Sequence, residues 1–175
     1  MLNYNTAMNS PNIGKRCVAI DEEYQRMKKS NVFTLFTRVK KKDVNGQLIL
    51  DTTWAMKRKA NGTQRARMVA NGFQQEAGNH YDPYNFSSPA ANEVTYRCVL
   101  VFMIIFDLVG NVIDISGAFL LGEFDATEKI YISVPIDFEK YYDTNDVLLL
   151  NRTLYGLKQS AKPFYRQLIL YRARA

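Results

Sequence analysis

Residues 112–135 read VIDISGAFLLGEFDATEKIYISVP and residues 148–165 read LLLNRTLYGLKQSAKPFY; these two stretches decide the fold. Val112-Ile-Asp-Ile is a β-branched strand with an acid in its middle. Alternation turns Ile113 and Ile115 one way and Val112 and Asp114 the other. Small residues follow at Ser116, Gly117 and Ala118, then a short apolar turn at Phe119-Leu120-Leu121-Gly122. Strands are expected at Ile130–Val134 and Val147–Asn151, with DFEKYYDTND (residues 137–146) as a surface loop between them. The closing SAKPFYRQLILYRARA reads as a helix with Leu168 and Tyr171 on the Tyr165 side. These mixed elements describe an α+β chain.

Asp114 is the chemically informative residue of the first stretch. A lone carboxylate inside an apolar strand is costly to bury unless a cation, hydrogen bonds or a metal compensates it. An acid on the exposed face, or in a turn near the strand end, is the alternative, and the residues alone leave both open.

Upstream lies the most strand-like region. Trp54-Ala-Met-Lys-Arg-Lys is followed by Asn61-Gly62 and by Arg65-Ala-Arg-Met-Val-Ala, a strong hairpin signal. Trp54, Met56 and Arg58 share one face of the first strand, with Lys57 and Lys59 on the other. Arg65 and Arg67 lie opposite Ala66 and Met68. The cationic surface fits an anionic partner, and equally fits the use of Lys and Arg to protect strand edges. Residues 74–92, with Gly78, Pro83 and Pro89, read as a connection. A helix is expected from Glu93 to Leu108, apolar enough to be well buried, and ended by Gly110-Asn111.

Towards the N-terminus, DEEYQRMKKSNVF from Asp21 has acids first and bases last, as a helix dipole favours, with Ile20, Tyr24 and Met27 on one face. Arg38, Lys40, Lys41 and Lys42 form a basic knot that also reads as a solvated loop, closed by Asn45-Gly46. Residues 1–18 lack periodicity and read as a flexible arm, leaving 19–175 as the domain.

The totals exclude several function classes. The chain has 175 residues, 47% hydrophobic, with 23 Lys and Arg against 17 Asp and Glu, a net charge of +6. That suits one domain with a core and is compatible with nucleic acid as a partner. Cys17 and Cys98 are too few for a disulfide scaffold and fit a reducing compartment. The apolar run Val99–Phe106 is too short for a membrane span, and the start has no secretion signal. Three Asn-x-Ser/Thr matches, at Asn61, Asn85 and Asn151, are then chance occurrences. His80 is the sole histidine, which removes mechanisms built on a Ser-His-Asp set or a His metal cluster. There is no Gly-rich phosphate loop.

The two opening stretches closely resemble the reverse transcriptase of copia-type LTR retrotransposons, part of a Pol polyprotein. In that family an aspartate-containing strand runs into Ala-Phe-Leu-x-Gly, then Ile-Tyr-x-x-x-Pro, then Leu-Tyr-Gly-Leu-Lys-Gln. RARMVANGFQQEAGNHYDPYNFSSP (residues 65–89) resembles the family's Lys-Ala-Arg-Leu-Val-Ala-Lys-Gly-Phe and following Asp-Tyr-x-x-x-Phe-x-Pro. The resemblance covers about residues 20 to 170, and the ordered series of four motifs makes it specific.

It implies a right-hand polymerase fold, with this chain supplying the fingers and an incomplete palm of antiparallel sheet packed with helices, the thumb absent. It implies RNA-directed DNA polymerisation by two-metal phosphoryl transfer, with an RNA template, a DNA primer, deoxynucleoside triphosphates and Mg²⁺ or Mn²⁺ in the complete enzyme. Asp114 would be the catalytic metal ligand, and the Ile115 carbonyl a second ligand beside the nucleotide. Arg67 would contact the triphosphate, with Arg65 standing where the family usually has Lys. Phe119 would screen the sugar 2′ position. Gln159 would lie beside the nucleotide, with Lys158, Lys57 and Lys59 towards the template, and Gly156 would permit close backbone approach. The setting implied is a cytoplasmic particle or the nucleus, with no membrane and no secretion.

Departures from the family pattern shape the expectation for activity. Lys-Gly-Phe is Asn71-Gly72-Phe73 here, and Trp-Tyr is Phe164-Tyr165. The family's Tyr-x-Asp-Asp, expected after Leu-Tyr-Gly-Leu-Lys-Gln, does not occur before Ala175; Tyr141-Tyr142-Asp143-Thr144 precedes that motif and lacks the second Asp. One carboxylate cannot hold two divalent ions about 4 Å apart. The chain alone is therefore expected to be inactive and to leave apolar palm surface uncovered for the rest of the polyprotein. A non-catalytic nucleic-acid-binding remnant and a decayed transposon fragment are the alternatives.

Overall fold

The structure is a computed structural model, and it describes residues 4–9, 11–29, 36–44, 46–112, 115, 117–125 and 128–173. Helices α1 (Tyr4–Met8) and α2 (Ile13–Lys29) precede strands β1 (Phe36–Lys40), β2 (Ile49–Leu50), β3 (Thr52–Arg58) and β4 (Gln64–Ala70). Helix α3 (Glu93–Ile105), strands β5 (Tyr131–Ser133) and β6 (Asp146–Leu150) and helix α4 (Ala161–Ala173) complete the order. The α+β expectation holds.

β3 and β4 form the expected hairpin, in register from Thr52 opposite Ala70 to Arg58 opposite Gln64. Gly62 takes the left-handed conformation of the turn at φ +81°, and Lys59 N–H donates to the Thr63 carbonyl at 2.9 Å. Alternation works as read for Trp54, Met56, Ala66, Met68 and Ala70, which are buried, and for the exposed Lys57, whereas Arg58, read on the Trp54 face, is exposed at the end of β3. α2 packs along β4 and buries Ala19, Ile20, Tyr24 and Met27 against this apolar face.

The second sheet runs β1-β6-β5-β2, antiparallel except for the β5–β2 pair. Its strands at 131–133 and 146–150 match the expected positions to within a residue. Ile132, Leu148 and Leu150 join the core under the hairpin, while Val147 packs with Val44 and Tyr131 in a second, smaller cluster.

Four expectations need correction. Residues 4–8 and 13–18, read as a flexible arm, are helical, and Tyr4 Oη donates to Asp137 at 2.7 Å. Residues 137–146, read as a surface loop, carry Phe138, which is wholly buried among Tyr24, Trp54, Tyr141 and Tyr142. The basic knot is partly strand: Arg38 and Lys40 of β1 both pair with Asp146, which is buried in β6. Finally, α3 forms with Asn92 as its cap, accepting from Thr95 N–H at 2.7 Å, yet it is not buried. Val94, Tyr96, Val99, Leu100, Val101, Phe102, Ile104 and Ile105 are all exposed. Apolar composition signals what a helix needs to cover, and no other described element covers it.

Candidate nucleotide and nucleic-acid site

The site grows from the place where β4 meets the Leu154-Tyr155-Gly156-Leu157-Lys158-Gln159 segment. Val69 and Tyr155 form a parallel bridge, and Ala70 N–H donates to the Tyr155 carbonyl at 2.8 Å. Gly156 follows at φ +90°, and a Cβ there would overlap the Ala70 carbonyl oxygen and the Val69 side chain. A Cβ on Gly72 would overlap the carbonyl oxygen of Gly156. The close backbone approach expected at Gly156 is therefore real, and the backbone approached is that of β4 and its continuation.

This contact brings Arg67 to Tyr155. Arg67 points away from the hairpin core, and its guanidinium carbon lies over the Tyr155 ring, 5.1 Å from the centroid. Among the described residues Arg67 makes no ion pair closer than 4.0 Å, and its Nε is buried without a hydrogen-bond partner. Phe119 reaches the same tyrosine from another element. It sits in a short 3₁₀ turn after Gly117 (φ +70°), anchored by the buried Leu120. Its ring meets that of Tyr155 edge-on at 5.8 Å, with Phe164 at 6.1 Å. Thr153 Oγ donates to the Phe119 carbonyl, and Arg152 donates to the Leu121 carbonyl at 3.0 Å and to Glu123 at 2.9 Å. The turn is thus clamped onto the segment that leads to Tyr155.

Of the residues expected at the site, Arg67 and Phe119 are brought together, and Tyr155 is the residue that joins them. Tyr155 was not singled out from sequence, although it stands inside the Leu-Tyr-Gly-Leu-Lys-Gln motif. Ile115 is half-buried, and its carbonyl accepts from Ala118 N–H at 3.3 Å, which leaves oxygen acceptor capacity for a hard cation. Asp114 lies outside the described residues, as do Ile113 and Ser116, so half of the strand expected at Val112–Ile115 does too; neither Val112 nor Ile115 is in a strand. Among the described residues no group of three or more His, Cys, Asp or Glu is arranged to hold a metal ion.

Gln159 has a different setting from the one expected. It is buried, its Oε1 accepts from Gln75 Nε2 at 3.0 Å, and its own Nε2 donates to the His80 carbonyl at 3.4 Å. Gln75 Oε1 accepts from Lys158 N–H at 3.0 Å. Both ends of the Gln159 amide are committed within the fold, tying residues 75–80 to 157–160. Lys57, Lys59 and Lys158 are exposed, and Arg65 faces Lys57 across the hairpin.

A buried acid also lies behind the basic hairpin. Glu23 of α2 is fully buried, with Arg26 alongside it. Burial pushes its carboxyl pKa up, opposed by the charges of Arg26, Arg65 and Arg67. Sequence gave no sign of this, because Glu23 reads as one of three acids in a helix first turn. A separate cleft of about 560 Å³ is lined by Gln47, His80, Tyr81, Asp82 and Lys129 among others; there His80 Nδ1 accepts from Glu76 N–H at 3.0 Å.

Comparison with known proteins bears on this geometry. The family described as reverse transcriptase (RNA-dependent DNA polymerase) matches residues 31–172, and the chain belongs to that family. The retrovirus-related Pol polyprotein from transposon TNT 1-94 of Nicotiana tabacum is 32% identical over 152 residues, covering 84% of this chain and 11% of that polyprotein. The resemblance to retrotransposon reverse transcriptases is thereby borne out. No solved structure matches the chain. Among the described residues no helix is long and apolar enough to cross a membrane.

Proposed function

We propose that this chain is the part of an RNA-directed DNA polymerase that grips the incoming nucleotide and the template, forming fingers and the front of a palm. The observation that carries the reading is the meeting of Arg67 and Phe119 at Tyr155. A guanidinium with no carboxylate of the described residues within 4.0 Å is suited to phosphate, which it can hold in a bidentate way. An exposed aromatic ring close by is suited to bound the sugar and oppose a 2′-hydroxyl. The cationic row Lys57, Lys59 and Arg65 suits a nucleic-acid backbone.

Asp114 and the Ile115 carbonyl would hold magnesium or manganese together with acids from elsewhere in the intact enzyme. When bound, the ions would supply charge stabilisation for phosphoryl transfer. Within these 175 residues one carboxylate stands at the matching position, so the isolated chain binds substrates without extending a primer.

Two assays on the 175-residue chain test this reading. Primer extension on poly(rA)/oligo(dT) with Mg²⁺ or Mn²⁺ is expected to give no product; extension abolished by Asp114→Asn would overturn the inactivity. Affinity for an RNA–DNA duplex is expected to fall with salt and to drop in Arg65→Ala and Arg67→Ala. A flat salt dependence, unmoved by both substitutions, contradicts a basic docking face.

A further inference from the structure

We propose that Tyr155 is a positioning residue that sets the Arg67 guanidinium and the Phe119 ring together, so that phosphate affinity and discrimination against a 2′-hydroxyl depend on one side chain. The inference rests on reading Arg67 and Phe119 as nucleotide contacts. It adds that neither is placed independently of the other.

Arg67 needs such a partner. Its side chain is long and flexible, and no carboxylate among the described residues pairs with it. A carboxylate there would fix the guanidinium but would also compete with phosphate. An aromatic face orients the cation without neutralising it, and it leaves the N–H edge of the guanidinium free to donate. Tyr155 can serve because its own backbone is held twice: by the 2.8 Å bond from Ala70 N–H and by the packing of Gly156 on the Ala70 carbonyl. Phe119 then meets the edge of a ring whose place is already set, at 5.8 Å and an interplanar angle of 78°. The ring system carries this role; the phenolic hydroxyl is not required for it.

The test compares dUTP and UTP, which differ only at the 2′ position, by equilibrium dialysis with the 175-residue chain in Mg²⁺. Tyr155→Phe keeps the ring and is expected to match the unaltered chain within about twofold in affinity and in the dUTP/UTP ratio. Tyr155→Leu is expected to weaken dUTP binding about threefold to thirtyfold and to narrow the ratio. If Arg67→Ala weakens dUTP while Tyr155→Leu leaves affinity and ratio unchanged, the positioning role is overturned and the nucleotide reading stands. If neither substitution matters, or the unaltered chain binds no dUTP, the nucleotide reading falls and the proposal with it. Should Tyr155→Leu fail to fold, the side-chain Nε–H resonance of Arg67 in the unaltered chain decides. An upfield ring-current shift kept in Tyr155→Phe is the expected result, and a resonance at the position of a free arginine overturns the proposal.

Discussion

Gly72 and Gly156 face each other so closely that a single added carbon on Gly72 would overlap the Gly156 carbonyl oxygen. Gly156 in turn holds φ +90° against the backbone of Ala70. This pair lets the Leu-Tyr-Gly-Leu-Lys-Gln segment lie on β4 and deliver Tyr155 to Arg67.

Gly156→Ala combines a left-handed backbone with a clash against main-chain atoms that cannot move aside. It is expected to destabilise the fold by about 2–4 kcal/mol, read as a lower midpoint in urea unfolding. Gly46 also has a positive φ (+78°), but nothing lies within 4 Å of a Cβ built there. Gly46→Ala is expected to lose only about 1 kcal/mol, from the left-handed conformation alone.

Much of the hairpin was legible because its signals are local. Asn61-Gly62 sets the turn, and strict alternation assigns Trp54, Met56 and Met68 to one face before any partner is known. The strands at 131–133 and 146–150 were legible for the same reason. What stayed hidden depends on contacts distant in sequence. Phe138 lies in a polar stretch, and only the arrival of Tyr24 and Trp54 makes it core. Gln159 reads as a polar site residue until Gln75, 84 positions away, occupies its amide. Tyr155 gains meaning only from its bridge to Val69. For α3 the difference is of another kind: an apolar sequence predicts burial, and here it marks a surface that the described residues leave open.

Asp146 supplies a pH dependence. The hydrogen bond from Lys40, helped by Arg38, holds its carboxyl below the ordinary value of 3.8. A pKa depressed in the folded state gives stability that is present above 3.8 and lost as pH falls through the folded value. Asp146→Asn is expected to lower the melting temperature at pH 7 and to flatten the loss of stability on acidification, followed by circular dichroism from neutral pH downward.

Glu23 works in the opposite sense. Its folded pKa is raised above 4.5 by burial, so the folded state holds the proton more tightly and stability falls as pH climbs through that region. Glu23→Gln cannot ionise, so its stability relative to the unaltered chain is expected to improve as pH rises above 4.5. Parallel stability–pH curves for the two proteins would contradict the burial of this carboxyl.

The exposed face of α3 gives a prediction with almost no cost in stability. Ile104 is 81% exposed, so Ile104→Asp is expected to change unfolding free energy by no more than about 0.5 kcal/mol. The same substitution interrupts an apolar patch and is expected to raise solubility, measured as the soluble protein concentration after ultracentrifugation.

The central claim is that a nucleoside triphosphate lies against Arg67, Tyr155 and Phe119, and ultraviolet cross-linking of radiolabelled dTTP followed by peptide mapping tests it most directly. The label is expected on the peptides that carry Tyr155 or Phe119, with the yield falling about tenfold or more in Arg67→Ala. Label confined to the cleft beside His80 and Lys129, or a yield that Arg67→Ala leaves unchanged, would contradict the account.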